Sequence, residues 1–231
     1  MTKFLRLLTL YLMLTVAAGP LHAFSNLAGN MAMTINQNRQ FEKRLERRNS
    51  STSPNPQQVA SLTYTADPTR TQANLQTFIS QTANPLAKAE LQALVTAQPG
   101  IMDDIGTLMR SAYGLDRQNT ADAYAIWLVA AWNASQKIAE NPAPAMLMAV
   151  RNQVAGTLLA TPEFLASDDA ARQLFAEAHL MEALIMSETT RAMQGDPASL
   201  NSFAATAVQN ARNAGVDLQA LRLTPNGFVL R

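Results

Sequence analysis

The sequence predicts an all-α protein: a single-domain bundle of about seven helices around a central apolar helix at 119–139, closed by a short C-terminal β-hairpin. Three observations predict it. From Ala123 to Trp132 the chain carries no charge, and a helix that is apolar on every side has to be enclosed by others. Five times a capping residue directly precedes proline: Asp67-Pro68, Asn84-Pro85, Asn141-Pro142, Thr161-Pro162 and Asp196-Pro197. Such a pair opens a helix, because the cap oxygen accepts an orphan backbone N–H and proline has no N–H to leave unpaired. Between these marks, apolar residues recur every three or four positions, the helical period.

The first 23 residues read as an export signal. Lys3 and Arg6 give a positive start, Leu7 to Ala18 is apolar, Gly19-Pro20 breaks the run, and Leu21-His22-Ala23 offers small residues before a cleavage point. The run falls short of the ~20 apolar residues that span a bilayer. Removing Lys3 and Arg6 takes the formal net charge from +1 to −1 and leaves His179 as the one histidine. A near-neutral chain is not a whole-domain nucleic-acid binder. There is no cysteine, so an exported form has to be held by its hydrophobic core alone. A periplasmic or secreted protein without a transmembrane span after signal removal is the expectation.

Residues 24–48 form an amphipathic arm, with Phe24, Leu27, Met31, Ile35, Phe41 and Leu45 at helical spacing. Its end is basic, with Arg39, Lys43, Arg44, Arg47 and Arg48 against Glu42 and Glu46. The bland expectation is a solvated helix tethering the domain; docking to an acidic partner or an anionic surface is the alternative. Residues 49–60, NSSTSPNPQQVA, read as a flexible linker. The helical domain is then 61–231. Its helices are expected near 67–82, 85–97, 100–113, 119–139, 142–160, 168–194 and 196–214, with a turn at 162–166. Gly114, Gly195 and Gly215 stand where left-handed helix stops belong. Outside the central helix each shows one apolar face, including Leu75, Phe78 and Ile79 in the first, and Leu86, Leu91, Leu94 and Val95 in the second. Ile101, Ile105, Leu108 and Met109 do so in the third. In the tail, two alternating runs flank Pro225-Asn226-Gly227, a strong hairpin signal. A lone hairpin is marginal, so it should pack on the bundle through Leu223 and Phe228.

Catalytic and cofactor patterns are largely missing. Neither G-x-S-x-G nor S-x-x-K occurs, and no closely spaced glycines form a phosphate cradle. No cofactor and no metal are expected: His179 near Glu182 is a single, reversed copy of the di-iron spacing, and reads as an exposed or core-edge histidine. Three candidate binding residues remain. Asp122 stands three residues after Asn119, where a capping-box acid belongs. Glu182 interrupts the apolar run LMEALIM; it must be paired, with Arg151 or Arg172 as bland partners, reach solvent, or hold a raised pKa. Trp132, five residues after Trp127, faces another side of the central helix and could reach a groove.

The run ADAYAIWLVAAW (121–132), the acid of EAL (182–184), GDPASL (195–200) and the ending GVDLQALRLTPNGF (215–228) carry a family resemblance. They resemble an uncharacterised bacterial family of exported helical proteins, a domain of unknown function. Its most specific mark is a C-terminal Leu-Thr-x-x-Gly-Phe signature, here Leu223-Thr224 and Gly227-Phe228. The resemblance covers residues 62–228 and implies export and a helical fold; it transfers no activity, ligand or site residue. The functional expectation is a non-enzymatic module of the bacterial envelope that binds another envelope protein or itself. The alternatives are an envelope enzyme cleaving cell-wall glycan through one cleft carboxylate, Glu182 or Asp122 beside Trp132, and a small-molecule carrier.

Overall fold

The computed structural model describes residues 31–46, 54–82 and 84–231, with residues 31–37 described in backbone alone. The expected signal, the first part of the arm and residues 47–53 lie outside the described residues. The described residues form ten α-helices: α1 (Met31–Glu46), α2 (Pro56–Ala60), α3 (Pro68–Gln81), α4 (Pro85–Ala97), α5 (Ile101–Tyr113), α6 (Thr120–Gln136), α7 (Pro144–Leu159), α8 (Pro162–Leu165), α9 (Asp169–Ala192) and α10 (Pro197–Asn213). A 3₁₀ turn at Met193–Gly195 follows α9, and the antiparallel strands β1 (Leu221–Thr224) and β2 (Gly227–Leu230) close the chain.

The caps act as the sequence predicts at three of the five prolines: Asp67, Asn84 and Asp196 each accept two backbone N–H groups of the first turn. Thr161 opens α8 without a side-chain cap bond. Asn141 does not open α7, which begins at Pro144 with Ala143 as its cap residue. The reason is the second proline: the residue before proline is held out of the α region, and Ala143 is extended. Gly114 and Gly215 take the left-handed conformation. Gly195, by contrast, ends the 3₁₀ turn without it.

α6 is the enclosed central helix. Ala121, Ala123, Tyr124, Ala125 and Leu128 are fully buried, and Trp127 nearly so. α9 is its main neighbour, flanked by α7 and α10. The helix stops at Gln136 rather than 139, because Lys137 turns left-handed (φ 63°) and two N–H groups fold back: Lys137 to Ala134 and Ile138 to Asn133. Two residues expected on apolar faces stay outside, Leu86 of α4 and Leu108 of α5, 45% and 39% exposed. α4 instead buries Leu91 and Val95, and α5 buries Ile101, Ile105 and Met109.

The described half of the arm is part of the core rather than a solvated tether. Phe41 and Leu45 are buried, and Phe41 meets Phe228 edge-on at 6.3 Å. Asn38 is fully enclosed; it donates to the carbonyl of Ala214 and accepts from the Tyr124 hydroxyl. The carboxylate of Glu42 accepts the Asp217 N–H at 2.6 Å. Nor is the described end of the expected linker open chain. Residues 56–60 form α2, opened by a reciprocal capping box between Asn55 and Gln58, and Val59 is buried. The Asn119 amide donates to Val59 O at 2.8 Å, tying this turn to the start of α6.

The hairpin pairs Leu223 with Phe228 and Thr224 with Gly227. Gln153 of α7 clamps it: its amide accepts the Phe228 N–H and donates to the Phe228 carbonyl, both at 2.8 Å. One side chain thereby satisfies both polar groups of a backbone unit, as a neighbouring strand would. Gly227 is required twice, by its φ of 92° and because a Cβ would collide with the Gln153 amide.

Candidate functional site

The three residues singled out from the sequence serve different parts of the core. Asp122 is enclosed. Its Oδ2 accepts the Asp116 N–H at 2.8 Å, and its Oδ1 lies 3.0 Å from Arg151 Nε. That ion pair is not aligned as a hydrogen bond, so Asp122 Oδ1 and Arg151 Nε find no hydrogen-bond partner. Burial pushes the carboxyl up to about 6, against the Asp116 N–H and the Arg151 charge. Asp122 therefore braces the loop before α6 and does not return a bond to Asn119, whose N–H goes to Asp116 O.

Trp132 lies ten residues further along α6, roughly 15 Å at 1.5 Å per residue. It is half-buried beneath the hairpin, its indole N–H reaching Leu221 O at 3.3 Å and its ring 6.2 Å from Phe228. It is a packing residue of the tail.

Glu182 takes neither arginine suggested by the sequence. Arg151 belongs to Asp122, and Arg172 donates to the carbonyls of Ser61 and Leu165. The carboxyl of Glu182 accepts the Trp127 indole N–H at 2.6 Å. Burial drives it up to about 8, with that indole bond pulling weakly the other way and no charged group contributing. The residue is half-buried and carries its proton at neutral pH.

Beside it, His179 is buried rather than exposed. Its ring packs against Phe175 (4.2 Å), Trp127 (5.0 Å) and Tyr124 (5.3 Å), and its Nδ1 is 2.7 Å from Phe175 O. Burial lowers its pKa to about 4, so it is neutral under ordinary conditions. Among the described residues, no three of His, Asp and Glu are grouped to hold a metal.

Two buried acids escaped the sequence reading. Glu177, 1% exposed, accepts Thr71 (2.6 Å), Asn74 (2.7 Å) and Gln173 (3.0 Å), with Arg117 at 3.9 Å. Glu188 pairs with Arg191 one turn on. The signal for Glu177 was its place in FAEAHL, between Phe175 and Leu180 on the buried face of α9. Glu177 thereby ties α9 to α3 through Thr71 and Asn74, whereas Glu188 is paired within α9 itself.

A cleft opens elsewhere, at the C-terminal end of α6. It holds about 70 Å³ between Tyr113 of α5, Val129 and Asn133 of α6, the turn Ile138–Pro142, and Ser187 and Thr190 of α9. None of Asp122, Trp132 and Glu182 lines it. No described helix is long and apolar enough to cross a membrane. No curated protein and no solved structure matches the chain. A family model does match, over residues 1–231: the chain belongs to DUF6683, a family of unknown function.

Proposed function

For this member of DUF6683 we propose a non-enzymatic role in the bacterial envelope: an exported helical module that associates with another envelope protein or with a second copy of itself. The observation that carries the non-enzymatic part is the dispersal of Asp122, Trp132 and Glu182 into separate packing roles, one ion-paired, one under the hairpin and one on an indole. A catalytic site needs such groups converging on one reacting atom. For association, two large apolar side chains stand exposed, Leu86 on α4 and Leu108 on α5. Export rests on the Lys3–Ala23 pattern. Expressed with its first 23 residues, the protein should be recovered outside the cytoplasm starting at Phe24; an intact Met1 product would remove the envelope placement. Light scattering across a concentration series, or capture from an envelope extract, should show association that Leu86→Glu with Leu108→Glu weakens at least tenfold. An unchanged profile in that double variant would remove the association surface.

One observation favours the enzymatic alternative: Glu182 is half-buried and protonated at neutral pH, the state a general acid for glycan cleavage needs. Release of soluble fragments from cell-wall glycan by the wild type, abolished in Glu182→Gln, would establish that reading. Equal behaviour of the two proteins would end it.

A further inference from the structure

The cleft at the end of α6 is built from five separate parts of the chain. Tyr113 comes from α5, Asn133 from α6, Glu140 from the following turn, Leu147 from α7, and Ser187 from α9. Its turn is fixed in place. Lys137 starts it in a left-handed conformation, which a non-glycine residue adopts at a cost. The Lys137 ammonium donates to Asn201 at 2.9 Å, and its carbonyl accepts from Gln194 at 3.3 Å. Across the turn, the Asn133 amide donates to Glu140 O at 3.3 Å. The walls are therefore set before any ligand arrives, which lowers the cost of binding.

What the cleft presents is specific. Tyr113, Asn133, Glu140 and Ser187 all line it, and the hydroxyls of Tyr113 and Ser187, the side-chain carbonyl of Asn133 and the carboxylate of Glu140 have no hydrogen-bond partner among the described residues. Thr190, also in the lining, is already turned to Met186 O. Val129, Ala130 and Leu147 give an apolar floor. No lysine or arginine lines the cleft, and its one carboxylate, Glu140, is exposed at the rim. A phosphate or carboxylate would face the Glu140 carboxylate, and the cation that acts on Tyr113, Arg191, is already paired with Glu188; a divalent cation would find a single charged ligand where it needs several. Hydroxyl groups on a ligand both donate and accept, and that is what an unpaired Tyr, Ser, Asn and Glu together can satisfy. The volume corresponds to around five water molecules, taking roughly 10–15 Å³ for each.

We propose that this cleft binds a small uncharged polyhydroxylated compound, a polyol or one sugar ring. Its hydroxyls would replace water on Tyr113, Asn133, Glu140 and Ser187, and its C–H face would lie on the floor of α6 and α7. The site is separate from the association surface proposed above, and either could stand without the other.

The test is methyl NMR of the whole chain, following the Ile126, Val129 and Ile138 signals. Glycerol, glucose and N-acetylglucosamine are titrated into the millimolar range, with sodium phosphate and calcium chloride as charged probes. Saturable shifts with at least one of the three polyols are expected, and no response to the charged probes. Tyr113→Phe and Ser187→Ala each remove one oxygen without opening the packing; each should weaken binding at least threefold, and together at least tenfold, with Tm held within a few degrees. Absence of saturable shifts with all three polyols overturns the proposal. So does binding that the double variant retains, or saturation by phosphate or calcium instead.

Discussion

A carboxyl group resting on an indole N–H, with burial as the main influence on it, makes stability depend on pH in a direction that can be worked out. Glu182 is raised from 4.5 to about 8, so the folded state keeps a proton that the unfolded chain releases. Its contribution is present at low pH and is lost as pH rises from about 4.5 to 8. Asp122 acts in the same sense between 3.8 and about 6. His179 acts oppositely: lowered from 6.5 to about 4, it costs stability as pH falls through that window. Between pH 6.5 and 8 Glu182 is thus the one of the three still titrating. The urea midpoint of the wild type should fall across that interval and stay level in Glu182→Gln. A wild-type midpoint that is flat from pH 6.5 to 8.5 would contradict the buried, protonated carboxyl. None of this could be read from LMEALIM. The sequence narrows Glu182 to pairing, solvent or a raised pKa, and its relation to Trp127 appears only once α6 and α9 are packed together.

At the scale of elements, the difference between expectation and structure is largest in α1 and α2. Amphipathic spacing shows that residues 31–46 can form a helix, but polar composition around them suggests a tether. What brings α1 into the fold is distant partners: Phe228 for Phe41, Tyr124 and Ala214 for Asn38, Asp217 for Glu42. Phe41→Ala should therefore cost about 3–5 kcal/mol, the usual range for emptying a buried phenylalanine site. Equilibrium urea unfolding measures it, and a loss under about 1 kcal/mol would return α1 to the status of a tether. The hairpin shows the opposite balance. Asn226-Gly227 announces the turn locally, and the strands form where the alternation puts them. The clamp by Gln153, which explains why glycine and phenylalanine stand together at 227 and 228, comes from a helix 75 residues away.

Across the whole molecule, the apolar interior divides unequally. Most buried side chains form one cluster around α6, whereas Ala134, Met193, Leu200, Phe203 and Ala207 form a smaller one under the first half of α10. Segments with fewer enclosed apolar contacts open first. Hydrogen exchange should accordingly be faster by at least tenfold in residues 198–205 than in 123–131, and equal protection would show that the two clusters act as one. The sequence by itself determined the helical class, the enclosed central rod, the closing hairpin and most helix starts. Those depend on local periodicity, capping oxygens and proline geometry, which act within a few residues. Only the tertiary structure decided that α1 belongs to the core, that Asp122, Trp132 and Glu182 do not converge, and where the cleft with its unpaired hydroxyls lies. Each of those facts is a meeting of side chains far apart in the chain, and no local pattern encodes which partner a buried polar group will find.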